Sequence, residues 1–214
     1  MREVENEKQV RSQDTKVNQA LEELRGRCKG YYGQLYELVK SINAQYDVAV
    51  KVALSKCLKY LVVDSPQTAQ YCTDFLREKG LFKELLVLSN VPDRKQAHSA
   101  GQVSKDSKGE AHLVMDIIEV SRLHAGLEKG VRYFVGDKIV CRDFDTAVKL
   151  QSLGYRDIVT SEGTEFKAGM ISGGQHKNIF AVNLGQLTLD RDIRKLADEI
   201  SILQKGLAEL DSEG

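Results

Sequence analysis

The sequence predicts an α+β fold with two lobes and an antiparallel coiled-coil stub formed by the N- and C-terminal helices. Short apolar segments of strand length alternate with helical segments through the middle of the chain, as in domains that pack helices against sheets. Both ends instead place apolar residues on a heptad seam, which is typical of a coiled coil. A polar stretch at 91–111 divides the middle of the chain into two halves.

The composition excludes several classes of protein. The chain has 214 residues, enough for one good core or two small ones. Its 31 basic residues balance its 31 acidic ones, which excludes a protein that coats nucleic acid over its whole surface and leaves room only for a local basic patch. No apolar run reaches the roughly 20 residues of a membrane span, so we expect no membrane contact. The four cysteines form no CxxC pair, which indicates reduced thiols in a soluble, intracellular protein.

The terminal segments, 1–28 and 187–214, carry the two seams. The C-terminal seam alternates spacings of four and three residues through Leu189, Ile193, Leu196, Ile200, Leu203, Leu207 and Leu210. The N-terminal seam is interrupted at Asp14 and runs through Val10, Val17, Leu21, Leu24 and Cys28. Because helices this short are marginal alone in water, we expect the two to pair, and the chain to be cut from something longer. The alternative is that each is an amphipathic helix packed on its own domain.

The first lobe, 29–90, begins where glycines interrupt the N-terminal helix. Its predicted elements are a helix over 34–58, a strand over 61–63, a helix over 67–78 and a strand over 85–88. The second of these helices has the clearest limits, because Ser65 and Pro66 form a start signal and Gly80 is a stop signal.

The second lobe, 112–186, follows a stretch at 91–111 that we expect to be a mobile, solvated loop, since its apolar residues are scattered among polar ones. Its predicted elements are a strand over 113–118, a helix over 122–131, a strand over 138–141, a helix over 146–153 and strands over 158–160, 165–166 and 179–182.

The segment Ile171-Ser172-Gly173-Gly174-Gln175 resembles the signature loop of ABC-type ATPases. That chemistry requires a Walker A loop, and the sequence has none. The alternative to a nucleotide-binding loop is a tight turn of little side-chain bulk, where glycine lets another backbone approach closely. Such a sheet edge can pair with a second sheet edge across a subunit boundary.

No arrangement of residues predicts catalysis or metal binding. The four histidines, His98, His112, His124 and His176, show no ligand spacing and are interpreted as solvated surface residues. No Ser/His/Asp or Cys/His spacing is present, and Asp143 and Asp145 are interpreted as the N-terminal charges of a helix. We therefore predict no catalytic residue and no metal ligand.

A few basic residues cluster where the terminal segments meet the lobes: Arg25, Arg27, Lys29 and Lys177. If the two termini pair, these side chains come close together and can contact DNA phosphates. The alternative is an ordinary solvated face.

Four segments resemble one known family: Gly30-Tyr31-Tyr32-Gly33-Gln34-Leu35, Leu61-Val62-Val63-Asp64-Ser65, Gly136-Asp137-Lys138-Ile139-Val140-Cys141 and Gly169-Met170-Ile171-Ser172-Gly173-Gly174. With the order coil, globule, coil, they resemble the hinge of structural-maintenance-of-chromosomes (SMC) proteins over most of 30–175. The last segment is the most specific. Within the family the chain looks most like the first SMC subunit of cohesin, but it has Ala168 where many SMC hinges have glycine.

The resemblance implies a two-lobed dimerisation hinge of a chromosome-organising ATPase, acting in the nucleus in sister chromatid cohesion and chromosome segregation. It implies a dimer interface at Gly169, Ile171, Ser172, Gly173 and Gly174, with another SMC hinge as the partner. In cohesin that partner is the other SMC subunit, and the sequence leaves self-pairing open. ATP and Mg²⁺ belong to head domains elsewhere in such proteins, so we expect no cofactor here and no enzymatic activity.

Overall fold

The computed structural model describes residues 2–173 and 184–185, with side chains described from residue 15 onward within those ranges. The helices are α1 (Arg2–Arg27), α2 (Leu35–Leu38), α3 (Asp47–Ala53), α4 (Pro66–Glu78), α5 (Ala100–Ser107), α6 (Leu127–Val135) and α7 (Phe144–Ser152). The strands are β1 (Tyr31–Gln34), β2 (Val39–Ser41), β3 (Leu61–Val63), β4 (Leu85–Val87), β5 (Ala111–Leu113), β6 (Ile118–Val120), β7 (Ile139–Cys141), β8 (Ile158–Thr160), β9 (Glu165–Lys167) and β10 (Met170–Ser172). The predicted α+β class is confirmed.

The first sheet has the order β1-β3-β4. β1 is antiparallel to β3, and α4 carries the chain from β3 to the parallel strand β4. The sequence sets the limits of α4: the Ser65 hydroxyl accepts a hydrogen bond from the Thr68 amide, Pro66 occupies the first turn, and Gly80 follows with a φ of 67°. Hydroxyl N-caps and a left-handed glycine beyond the end are the usual helix boundaries.

The second sheet has the order β10-β9-β8-β7-β5. α7 connects the parallel strands β7 and β8, and the remaining neighbours are antiparallel. α7 begins where the Asp143 carboxylate accepts a hydrogen bond of 2.9 Å from the Thr146 amide, which is the predicted role of Asp143. Among the described residues, this order leaves β10 at one edge of the sheet.

The two halves of the chain share a core. β2 pairs with β6, and the cluster between the sheets draws residues from both halves, including Val50, Leu86, Leu127 and Val140. Two smaller clusters lie outside it: one between the second sheet, α5 and α7, the other where α1 and α4 meet the first sheet. Leu21 and Leu24 of the predicted N-terminal seam are buried in that last cluster, so the end of α1 packs on the body of the protein. The C-terminal seam at 187–214 and the predicted strand over 179–182 lie outside the described residues.

Four sequence predictions are wrong. The strand expected over 113–118 is interrupted, because Val114–Asp116 form a 3₁₀ turn between β5 and β6. Residues 34–58 form no single helix but the end of β1, α2, β2, a 3₁₀ turn and α3, because pairing with β3 and β6 overrides the local helical periodicity. The stretch 91–111 contains α5, whose Val103 is fully buried in the second-sheet cluster. The helix expected over 122–131 begins only at Leu127, after Gly126 with a φ of 83°.

The expectation of solvated histidines is also wrong for the three that the structure describes. Each is half-buried and its ring packs on a tyrosine: His98 on Tyr155, His112 on Tyr46 and His124 on Tyr32. An imidazole has an apolar body as well as polar nitrogens, so ring packing can place it below the surface. His176 lies outside the described residues.

Candidate functional site

The predicted glycine-rich segment forms a hairpin and the strand at the edge of the second sheet. Met170 lies opposite Lys167, so only Ala168 and Gly169 form the turn. Gly169 has a φ of 73°, a conformation that costs a side-chain-bearing residue roughly 1–2 kcal/mol. A Cβ atom at Gly169 would meet no atom within 4 Å. The turn therefore needs the conformational freedom of this glycine rather than the space that it leaves.

Ile171 and Ser172 lie in β10, not in a loop. A nucleotide-binding loop presents successive backbone amides to phosphate, whereas here these residues pair with Phe166 and Glu165 of β9. Two surface cavities, of about 430 and 450 Å³, are lined by other parts of the chain. The nucleotide-loop alternative thus has no support from the described part of this segment.

In the part of the chain that the structure describes, β10 exposes apolar side chains along an unpaired edge of the sheet. Met170 is 67% and Ile171 54% exposed, and β9 is the strand that pairs with β10 in the described residues. Proteins usually protect such edges with charges, proline or a covering element, because an open edge can pair with another chain. The described part of the segment after the turn, Met170 to Gly173, carries no charge. This edge is therefore suited to strand addition.

The apolar surface continues from β10 onto α7. Directly opposed residues of antiparallel strands share one face of the sheet, so Ile171 lies on the same face as Phe166. The ring of Phe166 contacts the ring of Phe144, with centroids 4.9 Å apart. Phe144 and Val148, one turn apart on α7, are each about half exposed. Both residues were missed in the sequence analysis. Their i, i+4 spacing places them on one face of α7, beside the face that buries Ala147 and Leu150, and this second apolar face was a detectable signal.

The other predicted interface residues have different surroundings. A Cβ atom at Gly173 would lie 3.2 Å from the Thr164 hydroxyl oxygen, so the small residue permits close approach to the turn before β9. Gly174 lies outside the described residues. The structure thus brings Gly169, Ile171, Ser172 and Gly173 together at one sheet edge.

A second open edge occurs in the first sheet, where β4 is terminal. Leu85 and Val87 of β4 are half-buried. Phe82, three residues before β4, is 82% exposed, which is unusual for so large an apolar side chain. Each half of the chain therefore presents one sheet edge beside exposed apolar residues.

The predicted DNA-contact residues are mostly engaged by carboxylates. The Nη2 atom of Arg25 donates to both carboxylate oxygens of Glu37, each at 3.0 Å, and such charge-assisted hydrogen bonds are strong. Arg27 forms an ion pair of 2.7 Å with Glu23. Lys29 is exposed, and Lys177 lies outside the described residues. The structure thus brings Arg25, Arg27 and Lys29 to the end of α1, where acidic residues neutralise both arginines.

Within the described ranges, no three His, Cys, Asp or Glu side chains are grouped so that they could hold a metal ion. No helix in the same ranges has the length and hydropathy needed to cross a bilayer.

Comparison with known proteins identifies a matching family, described as the SMC proteins Flexible Hinge Domain, over residues 28–151. Structural maintenance of chromosomes protein 1 of Arabidopsis thaliana is 29% identical over 170 residues, which is 78% of this chain and 14% of that protein. The chromosome partition protein Smc of Aquifex aeolicus is 28% identical over 191 residues, 85% of this chain and 16% of that protein. The chain thus corresponds to a small part of the length of these relatives.

Solved structures show the same fold. The hinge domain of the Pyrococcus furiosus SMC protein has a TM-score of 0.58 and 28% identity, covering 73% of this chain and 79% of that one. An asymmetric dimer of the Geobacillus stearothermophilus SMC hinge domain has a TM-score of 0.63 over 95% of this chain and 87% of that one. Its identity of 22% supports a shared fold only.

Proposed function

The chain belongs to the SMC flexible hinge domain family, whose members are dimerisation rather than catalytic domains, and from this premise we propose that it joins two SMC subunits through the open edge of β10. The observation that carries the proposal is the exposure of Met170 and Ile171 on that uncharged edge. A partner strand would satisfy the outward main-chain groups of β10 and cover these side chains.

The exposed face of α7 would enlarge the contact. Phe144 and Val148 lie on the same side of the sheet as Ile171, so a strand added at β10 places its own side chains over them. Burial of apolar surface contributes about 25 cal/mol per Å², and aromatic residues such as Phe144 are enriched in protein interfaces. Strand pairing would set the register, and this apolar surface would supply much of the affinity.

The edge of β4 is the proposed counterpart of β10. In a pair related by a two-fold axis, each contact between unlike edges occurs twice. Pairing β10 of one hinge with β4 of the other would therefore close the pair through two equivalent sheet contacts. The exposed Phe82 beside β4 would be covered in the same step.

The experiment compares two isoleucines with equal exposure. Ile171→Glu places a charge on β10, whereas Ile42→Glu alters a residue that is also 54% exposed but lies outside β10 and β4. Sedimentation equilibrium would be measured on the chain alone and on its mixture with a candidate partner hinge. We expect Ile171→Glu to weaken association by about 30-fold or more, as at an interface hot spot, and Ile42→Glu to leave it unchanged. Equal association of Ile171→Glu and wild type would reject the β10 interface.

The finer proposal is that the chain is the SMC1-type hinge of cohesin, acting in sister chromatid cohesion and chromosome segregation in the nucleus. Three features support this choice: the similarity to the Arabidopsis SMC1 protein, the Asp64-Ser65 strand end, and the Lys167-x-Gly169-x-Ile171-Ser172-Gly173-Gly174 form. A bacterial Smc protein is similar to nearly the same degree. A mixing experiment separates the alternatives. A cohesin-type hinge binds the hinge of the other cohesin SMC subunit in preference to itself, whereas a bacterial-type hinge prefers its own copy.

DNA contact at the end of α1 is a further part of the proposal. It would depend chiefly on Lys29, since Glu37 engages Arg25 and Glu23 engages Arg27. Each phosphate contact contributes about one unit to the salt dependence of binding. Lys29→Glu should therefore reduce the slope of log affinity against log salt concentration by about one. Lys108→Glu, which alters another exposed lysine, is the control and should leave the slope unchanged. Identical slopes in both variants would exclude Lys29 from DNA contact.

A further inference from the structure

The helical turn α2 contacts the chain at two places that lead toward the two termini. The Nη2 atom of Arg25, in the last turn of α1, donates to both carboxylate oxygens of Glu37. The amide of Gly185 donates a hydrogen bond of 2.8 Å to the carbonyl oxygen of Tyr36. Leu184 and Gly185, which we call the return segment, precede the predicted C-terminal seam in the sequence. The adjacent residues Tyr36 and Glu37 therefore hold the end of α1 and the return segment.

The contact between Glu37 and Arg25 is mostly shielded from solvent. The Glu37 side chain is 12% exposed and that of Arg25 is 30% exposed. The same carboxylate accepts a hydrogen bond of 2.6 Å from the Gln34 amide, at the start of α2. Charge-assisted hydrogen bonds are stronger than neutral ones, and partial burial protects an ion pair from screening by salt. Glu37 thus fixes the end of α1 relative to the first residues of α2.

The return segment lies tightly against β2. Gly185 is buried and has a φ of 72°, and a Cβ atom there would lie 2.7 Å from the Cβ atom of Lys40. Lys40 in turn forms an ion pair of 2.8 Å with Glu119 of β6. Leu184 packs against the core cluster that both halves of the chain share. The return segment is thus held by close packing as well as by its hydrogen bond to α2.

α2 itself is attached to both halves of the chain. It directly follows β1 of the first sheet and directly precedes β2, which pairs with β6. Its residues Leu35 and Leu38 are buried in the shared core. The Tyr36 amide donates to the carbonyl oxygen of Leu58, and the Leu38 carbonyl oxygen accepts from the Ser121 amide, each at 2.9 Å. A contiguous set of hydrogen bonds and packed side chains of this kind can carry coupling between two sites.

We propose that α2 couples the end of α1 to the return segment, so that displacing one displaces the other. The carbonyl of Tyr36, which holds Gly185, and the amide nitrogen of Glu37 belong to one planar peptide unit. If this unit tilts to follow Gly185, it also turns the Glu37 side chain and the carboxylate that holds Arg25. The two segments that lead from the hinge toward its termini would then change direction together.

Hydrogen–deuterium exchange of the full chain, read by mass spectrometry, tests this coupling. Gly185→Ala displaces the return segment, because the new Cβ atom meets Lys40 and the positive φ disfavours any side chain. We expect the amides of residues 21–27, at the end of α1, to exchange about five-fold faster or more, as expected for coupled sites. Gly154→Ala is the matched control: its φ is 91°, but a Cβ atom there would meet no atom within 4 Å. This control should leave the exchange of 21–27 unchanged.

A second substitution shows whether the effect passes through α2. Glu37→Gln keeps the shape of the side chain but removes its charge. In that background, Gly185→Ala should add little further increase at 21–27. Glu23→Gln instead removes the ion pair with Lys79 that holds α1 to α4. In that background, the full increase caused by Gly185→Ala should remain.

The coupling must also act in the opposite direction, because coupling between two sites is reciprocal. Glu37→Gln alone should therefore speed the exchange of the Gly185 amide, and this milder change tests the proposal even if Gly185→Ala fails to fold. Circular dichroism checks the fold of each variant. The proposal is overturned if Gly185→Ala and Gly154→Ala affect 21–27 equally, or if the effects of Glu37→Gln and Gly185→Ala simply add. It is also overturned if the Gly185 amide exchanges in Glu37→Gln as slowly as in the wild type.

Discussion

The Lys138 side chain donates a hydrogen bond from Nζ to the main-chain carbonyl oxygen of Ala53. Ala53 ends α3 in the first half of the chain, and Lys138 directly precedes β7 of the second sheet. The bond therefore caps a helix C-terminus with a cation, which the helix dipole favours, and it joins the two halves beside their shared core. Burial lowers the pKa of Lys138, which is consistent with a cation held away from solvent.

Lys138→Ala should destabilise the fold by about 1–3 kcal/mol, because it leaves a buried carbonyl without this donor. Lys149→Ala is the matched control: Lys149 also donates to a main-chain carbonyl, that of Asp106, but at an exposed site. Lys149→Ala should change the free energy of unfolding by no more than about 0.5 kcal/mol. Urea unfolding of both variants measures the difference. Equal costs would show that the Lys138 bond does not connect the two halves.

Gly169→Ala should weaken the β9–β10 hairpin by roughly 1–2 kcal/mol, since its φ of 73° disfavours any residue with a Cβ atom. Gly101 lies in α5, and a Cβ atom there would also meet no atom within 4 Å. Gly101→Ala should therefore be neutral or stabilise the protein by up to about 1 kcal/mol. A lower unfolding temperature for Gly169→Ala together with an unchanged or higher one for Gly101→Ala would support the assignment of the turn. Similar effects in both variants would contradict it.

Gly30→Ala tests a glycine that is needed for space. A Cβ atom there would lie 2.6 Å from the Thr68 hydroxyl oxygen and 2.7 Å from each carboxylate oxygen of Asp64. These side chains are hydrogen-bonded to each other and to Ser65 at the start of α4. We expect a loss of about 1–3 kcal/mol from this overpacking, measured by urea unfolding. Gly26→Ala, with open space around its Cβ position, should cost nothing; a comparable loss there would contradict the packing argument.

Local signals in the sequence were sufficient for some elements. The Ser65-Pro66 start and the Gly80 stop predicted α4 to within one residue, and the apolar runs at 61–63 and 158–160 gave β3 and β8 as observed. The limits of these elements depend on caps and on continuous burial, which neighbouring residues encode. The short strands β1 and β2 were missed because their partners, β3 and β6, are distant in the sequence. Only the assembled sheet shows that 34–58 cannot be one helix.

The candidate site was predicted in part for the same reason. Gly169, Ile171, Ser172 and Gly173 are adjacent in sequence, so their low bulk was visible without a structure. Phe144 and Val148 join them only because α7 packs on the sheet beside β9, which brings Phe144 against Phe166. That contact depends on strand order, which no local pattern encodes.

Two buried thiols predict a loss of stability at alkaline pH. Burial raises the pKa of Cys57 to about 11 and that of Cys141 to about 12. Each thiol also donates a hydrogen bond, to the carbonyl oxygens of Leu54 and Asp143 respectively. In the unfolded chain a cysteine titrates near pH 8.5. Between that pH and the folded pKa, the folded state holds protons that the unfolded state has released.

The stability that these thiols contribute is therefore fully present below about pH 8.5 and is lost as pH rises toward 11. Above its unfolded pKa, each thiol should lower the free energy of unfolding by about 1.4 kcal/mol per pH unit. Measurement between about pH 8.5 and 10 avoids the unfolded tyrosines, which titrate only near pH 10, and comparison with Cys57→Ala identifies the share of that thiol. When the free energy of unfolding is measured with urea over this range, Cys57→Ala should make its decline with pH less steep by the contribution of one thiol. This holds whatever the effect of the substitution on stability at pH 7. A slope that matches the wild type would mean that Cys57 ionises as easily in the folded core as in water.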